Sequence, residues 1–208
     1  MKFVLYQYII MKLDINIFGY LVIMFVIGFC LKIYFESEMF HLKCIISDED
    51  GNTYCVRETP KLEIVANLLA KVTGKLSTLV KYLDKKYPTR ENVQRLSKKF
   101  NPKKIMETLP TSKYTAYSEN KGEKLAFCTT TTKEGSKLID ENTLTFVALH
   151  EISHIMTESI GHKKEFWQNF KFILKNAVTM GIYTPKDYKK KPQKYCGMTI
   201  TDNPYYDL

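Results

Sequence analysis

The rhythm of apolar and polar positions changes along the chain, and each change predicts an element. From Ile15 to Leu31 no residue is charged, and "IFGYLVIMFVIGFCL" is almost wholly apolar. With Lys32 able to reach back toward water, the run extends to Phe35, about 20 residues, enough to cross a bilayer core as a helix. A cleaved signal peptide is the competing reading, but the run is long for one and lacks small residues at a cleavage site. Residues 1–40 are therefore expected to form a single-pass membrane anchor, spanning at about 15–35. Lys2 and Lys12 stand before the run and Lys32 and Lys43 after it, so its orientation is left open.

Past the anchor the periods shorten. Residues 41–58, "HLKCIISDEDGNTYCVRE", read as a β-hairpin around a turn signal. After Pro60, the residues Leu62, Val65, Leu69, Val72, Leu76, Leu79 and Leu83 recur every three or four positions, a core-facing helix that "KKYP" ends. "TRENVQRLSKKF" is a second, shorter helix closed by "NP". Lys113–Ser118 and Lys124–Thr132, separated by "ENKGE", read as a second hairpin. "DENTLTFVALHEISHIMTES" is a helix with Asp140 or Asn142 available to cap it, and "KKEFWQNFKFILKNAVTMG" is another, packing through Phe166, Phe170, Ile173 and Leu174. A globular domain is expected over 41–183, and 184–208, rich in Lys, Pro and Tyr, as an irregular extension laid over it.

Composition bounds what this domain does. The chain has 208 residues with 45% hydrophobic and 13% aromatic content, enough for a core, and a formal charge of +9. Residues 1–40 are charge-balanced, so the excess lies in 41–208. Only Arg57, Arg90 and Arg95 are arginines among the 31 basic residues. Lysine is a diffuse point charge, whereas bidentate reading of bases favours arginine. Contact with nucleic acid is possible, but sequence-specific recognition is not expected. Lysine-heavy, arginine-poor usage also hints at an AT-rich genome. Five scattered cysteines do not resemble a disulfide framework, and no CxxC occurs. Cys44 and Cys55 flank "SDEDGN" and could face each other across the first hairpin, as a disulfide in an oxidising compartment or as two packed thiols.

Three of the four histidines fall in "LHEISHIMTESIGHKKEFW". His150 and His154 lie one turn apart on one helix face, so both imidazoles can reach one ion. Glu151 sits beside the first, where its carboxylate can hydrogen-bond a metal-bound water; this is the H-E-x-x-H arrangement of zinc peptidases. Catalytic zinc takes three protein ligands, so a third must follow. "SIGH" supplies Gly161, suited to a left-handed helix end, and then His162 on the returning chain. Glu158 is the competitor, but a continuous helix would carry it a turn beyond His154. Glu165 is better placed to orient a ligand or to face solvent.

"HEISH…GHKKEFW" resembles the zinc peptidases of the WLM and SprT-like families, small relatives of the gluzincins, over about residues 111–181. The resemblance implies an α+β, zincin-like fold with a small antiparallel sheet beside the HExxH helix, whose edge strand receives an extended peptide. It implies Zn2+ held by His150, His154 and His162. Glu151 would be the general base in a hydrolysis by zinc-activated water. Several members degrade proteins crosslinked to DNA, and similar proteins occur in large DNA viruses. The alternatives are a non-catalytic zinc-binding interaction module on a membrane, and a nucleic-acid-associated protease. Tyr183, Tyr188 and Tyr195 are candidate oxyanion donors, with packing the plainer role of each, and Met198 is expected in the core.

Overall fold

The computed structural model describes residues 16–36 and 42–207. The chain divides into two compact units, residues 1–40 and 41–208. In the first, Ile17–Glu36 form one helix, α1. Its 18-residue stretch Ile17–Tyr34 is long and apolar enough to cross a membrane, and its side chains are exposed almost throughout. Ile15, at the start of the expected span, and the flanking Lys2 and Lys12 lie outside the described residues, as does His41.

The second unit is a mixed α+β domain. Strands β1 (Leu42–Ile46) and β2 (Thr53–Arg57) form an antiparallel hairpin, and α2 (Leu62–Lys86) and α3 (Glu91–Lys99) follow. Then come β3 (Ile105–Glu107), β4 (Ala116–Glu119), β5 (Lys124–Phe127), α4 (Glu141–Met156) and α5 (Lys164–Thr179). The chain ends with β6 (Gln193–Tyr195), β7 (Met198–Ile200) and one 3-10 turn at Pro204–Tyr206. The first sheet runs β1-β2-β3-β5-β4, with β4 at one edge, while β6 and β7 pair separately.

This sheet is mixed, which corrects the expected antiparallel one. The helices α2 and α3 carry the chain across, so β3 lies parallel to β2; β5 returns between β3 and β4, parallel to β3. A strand joined through a helical crossover comes back parallel. Glu107 on β3 is buried and accepts hydrogen bonds from the Arg57 amide at 2.7 Å, the Arg57 Nε at 2.6 Å and the Thr129 hydroxyl at 2.6 Å. One carboxylate thus joins β2, β3 and the chain after β5.

α2 buries its stripe of Val65, Leu69, Val72, Leu76, Leu79 and Leu83 against β2 and α4. α4 differs in kind, being buried on nearly every side. Its inward hydroxyls are satisfied within the helix, Thr145 donating to the Glu141 carbonyl and Ser153 to the Leu149 carbonyl, each at 2.7 Å. Asp140 caps the start, accepting from the Thr143 amide at 3.0 Å.

Four of the five cysteines pair, Cys44 with Cys55 and Cys128 with Cys196, contrary to the expected absence of a framework. The first joins directly opposed residues of β1 and β2. The second ties the C-terminal hairpin to the chain just after β5. Within the extension 184–208, expected to be irregular, Gln193–Tyr195 and Met198–Ile200 pair as strands, and Met198 is 48% exposed rather than in the core. Its position next to the turn at Cys196 and Gly197 leaves it on the rim, with the Thr115 hydroxyl donating to its sulfur at 3.6 Å.

Candidate metal centre

α4 presents His150 and His154 one turn apart, and the helix stops at Met156, five residues before the glycine expected to end it. A seven-residue loop, 157–163, then leads to α5. Gly161 takes a left-handed φ of 79° within it, and His162 follows on the returning chain. The three Nε2 atoms converge: His150 to His154 is 3.3 Å, His154 to His162 is 3.1 Å, and His150 to His162 is 2.9 Å. Tetrahedral zinc with bonds of about 2.0–2.1 Å requires ligand nitrogens about 3.3 Å apart, so the donor triangle fits that ion within a few tenths of an ångström. Among the described residues, the group able to hold a metal is His150, His154 and His162.

Neither glutamate of the loop region joins it. The Glu158 side chain pairs with Arg95 at 3.1 Å. Glu165 accepts from the Glu158 and Ser159 amides at 2.8 and 3.0 Å. Behind the histidines, α5 supplies an aromatic wall. Phe166 stacks on His154 at 4.3 Å and meets His150 and His162 edge-on at 4.8 and 4.6 Å, and Trp167 flanks His162 at 5.7 Å. The sequence marks Phe166 as core packing; its second role, fixing the orientation of three imidazoles, depends on the turn of the chain at Gly161.

No protein-family model matches the chain. It is 29% identical over 178 residues to an uncharacterized protein of Acanthamoeba polyphaga mimivirus, spanning 81% of this chain and 85% of that one. A 57-residue stretch is 39% identical to an uncharacterized protein of invertebrate iridescent virus 6, covering 27% of this chain and 31% of the viral one. These viral relatives fit the large-DNA-virus setting that the family resemblance implies. Among solved structures, the crystal structure of Wss1 from Saccharomyces cerevisiae aligns with a TM-score of 0.45 at 17% identity, covering 61% of this chain and 87% of that one.

The electrostatics of the site follow from burial. The His150 imidazole is pushed down to about 3, first by desolvation and then by the neighbouring His154 and His162. His154 falls to about 4 for the same leading reason, with His162 and Lys121 adding to it, and His162 is also lowered by desolvation. All three are therefore neutral near pH 7, the form in which an imidazole nitrogen can bind an ion. Glu151 is only 6% exposed, and burial alone pushes its carboxyl up to about 8. A cation held by the imidazoles next door would favour its ionised form.

The three tyrosines divide. Tyr195 is wholly buried near Glu151; desolvation first, and then the Glu151 charge, raise its phenol well above the usual range, and its hydroxyl donates to the Thr115 carbonyl at 3.1 Å. Tyr183 and Tyr188 pack on Phe146, and the Tyr183 hydroxyl accepts from Asn203 at 3.0 Å. Both serve the C-terminal core.

Proposed function

We propose that this chain is a membrane-anchored zinc metallopeptidase in which His150, His154 and His162 hold the ion and Glu151 is the general base. The observation that carries the reading is the convergence of three neutral imidazole nitrogens to within 2.9–3.3 Å of one another, beside a buried glutamate. Bound zinc supplies Lewis acidity, polarising the scissile carbonyl and easing ionisation of water. Glu151 accepts a proton from the attacking water and delivers it to the departing amine nitrogen. Its buried setting makes the carboxylate a stronger base than an exposed one, which suits that shuttle. Phe166 and the loop hold the ligand set, and β4, the last strand of its sheet, offers an edge on which an extended peptide can add. A buried glutamate of raised basicity has no task in a purely structural zinc site, so the peptidase reading is preferred to a non-catalytic module. α1 supplies the anchor.

The test is proteolysis by full-length protein in detergent, with an unstructured protein as substrate. Activity should disappear with a chelator and return with stoichiometric zinc. Activity indifferent to the chelator, or zinc-loaded protein inert toward every substrate offered, contradicts the reading.

A further inference from the structure

The third ligand stands at the far end of a loop that has little of its own to hold it. Residues 157–163 form neither helix nor strand, and the large apolar side chain among them, Ile160, is 84% exposed. Phe166 and Trp167 orient the His162 ring, but ordering a backbone residue costs about 1–2 kcal/mol, and packing of the largely exposed residues 158–161 does not offset that cost. Polar contacts do. Lys121 Nζ donates to the carbonyls of Thr157 at 2.8 Å, of Glu158, and of Ser159 at 3.5 Å. From the opposite side Glu165 takes the amides of Glu158 and Ser159. The peptide groups 157–158 and 158–159 are thus gripped at both poles, carbonyl by a cation and N–H by an anion. Charge-assisted hydrogen bonds of this kind are about twice as strong as neutral ones. Arg95 adds a bond to the Met156 carbonyl at 2.9 Å, and Asn169 Nδ2 donates to the Thr157 hydroxyl at 2.9 Å.

The source of Lys121 shows how much local structure is devoted to this contact. It sits in the turn between β4 and β5, where Asn120, Lys121 and Gly122 all have positive φ, of 46°, 55° and 112°. Left-handed backbone at two consecutive non-glycine residues is unusual and costs free energy. A Cβ on Gly122 would lie 2.6 Å from the Lys99 carbonyl oxygen and 3.1 Å from Ile155 Cδ1, so the turn is pressed onto α3 and α4 as closely as glycine allows. That conformation aims the lysine at the carbonyl of Thr157, the C-cap of the helix of His150 and His154, where a cation is favoured, and at the two loop carbonyls after it.

We propose that Lys121 is a positioning residue for the metal centre: by fixing the peptide groups 157–159 it pre-sets the loop that delivers His162. The inference rests on the zinc reading given above. It predicts that metal affinity, not only fold stability, depends on a lysine that is not itself a ligand.

The test measures zinc dissociation by chelator competition on full-length protein in detergent, using zinc alone as the probe. Lys121→Met should weaken zinc about 10–100-fold, the range seen when a supporting outer partner is lost. Lys121→Arg, which keeps the charge and donors, should recover most of that loss. In a His162→Ala background Lys121→Met should cause little further weakening, because its effect runs through that ligand. Should Lys121→Met not fold, Lys121→Gln, a neutral donor, is read in the same way. Zinc binding by Lys121→Met equal to wild type, or an equal loss in both backgrounds, overturns the inference alone. Wild-type protein that takes up no zinc overturns the metal reading and this inference with it.

Discussion

His150, Glu151 and His154 are legible in the sequence because an α-helix places i and i+4 on one face whatever surrounds it. His162 is legible less directly, through a glycine able to reverse the chain. What spacing does not disclose is the support: Phe166 behind three rings, Glu165 on two amides and Lys121 on three carbonyls all come from tertiary placement. Ligand and neighbour can nevertheless be told apart by substitution. His162→Ala should lose most bound zinc and all hydrolysis, while Glu158→Gln, whose carboxylate meets Arg95, should keep both. Metal analysis paired with a peptidase assay decides; stoichiometric zinc in His162→Ala would reassign the ligand. The buried groups also set a pH profile for the metal-free protein. Between about pH 4 and 6.5 the unfolded state protonates His150 and His154 while the folded state keeps them neutral, so stability rises with pH. Glu151 acts oppositely: its ordinary value of 4.5 is raised to about 8 on folding, so the folded state holds the extra proton and stability falls as pH rises through that window. Two histidines outweigh one glutamate below pH 6.5, and above it only the glutamate remains. The site's contribution should peak near pH 6.5 in chelator, and zinc should remove the decline above it. Denaturant unfolding across pH 4–8 with and without zinc reads this directly; a monotonic profile in chelator contradicts it.

Among elements, the helices were the legible ones. α2 shows a stripe at intervals of three and four because one face alone is buried, and α4 is marked by its cap even though it is buried all round. β3 escaped because three residues carry no measurable period, and with it the mixed character of the sheet. The second hairpin is present but shorter than the apolar pattern implies: after Phe127 the chain leaves the strand, and Cys128 turns to meet Cys196. The Asp140 cap, which also meets Lys186 at 3.2 Å, gives a measurable handle. Asp140→Ala should cost about 1 kcal/mol, a few degrees of Tm, while leaving zinc stoichiometry unchanged, since the cap lies ten residues before His150. Loss of zinc in that variant would mean that the start of α4 is coupled to the site. α1 makes its own prediction. An apolar helix of 20 residues is about 30 Å long, the thickness of a bilayer core. Full-length protein should therefore stay with membranes through alkaline carbonate washing. Release by the wash, or a mature N-terminus beyond Cys30, would replace the anchor with a cleaved signal.

At the scale of the whole molecule, cysteine connectivity was the least legible property, because pairing depends on which strands the fold brings together. Cys44 and Cys55 oppose each other across a hairpin and could be suspected; Cys128 and Cys196 are 68 residues apart and meet only in the folded domain. A loop of that length adds on the order of 4 kcal/mol when closed. Cys128→Ser should accordingly lower Tm by several degrees more than Cys44→Ser, whose loop is 11 residues. Equal losses would show that chain closure is not what the longer bridge contributes. The bridge also bears on the proposed site, since it holds the hairpin carrying Tyr195 beside Glu151. Hydrolysis of peptides through Glu151 beside a three-histidine zinc site stands or falls on one variant. Zinc content and proteolysis are measured together on wild-type and Glu151→Gln full-length protein. The amide keeps the shape and the neighbouring ligands but accepts no proton, so the variant should hold one zinc per chain and lose hydrolysis by several orders of magnitude. Near-normal turnover by zinc-loaded Glu151→Gln would show that Glu151 is not the base.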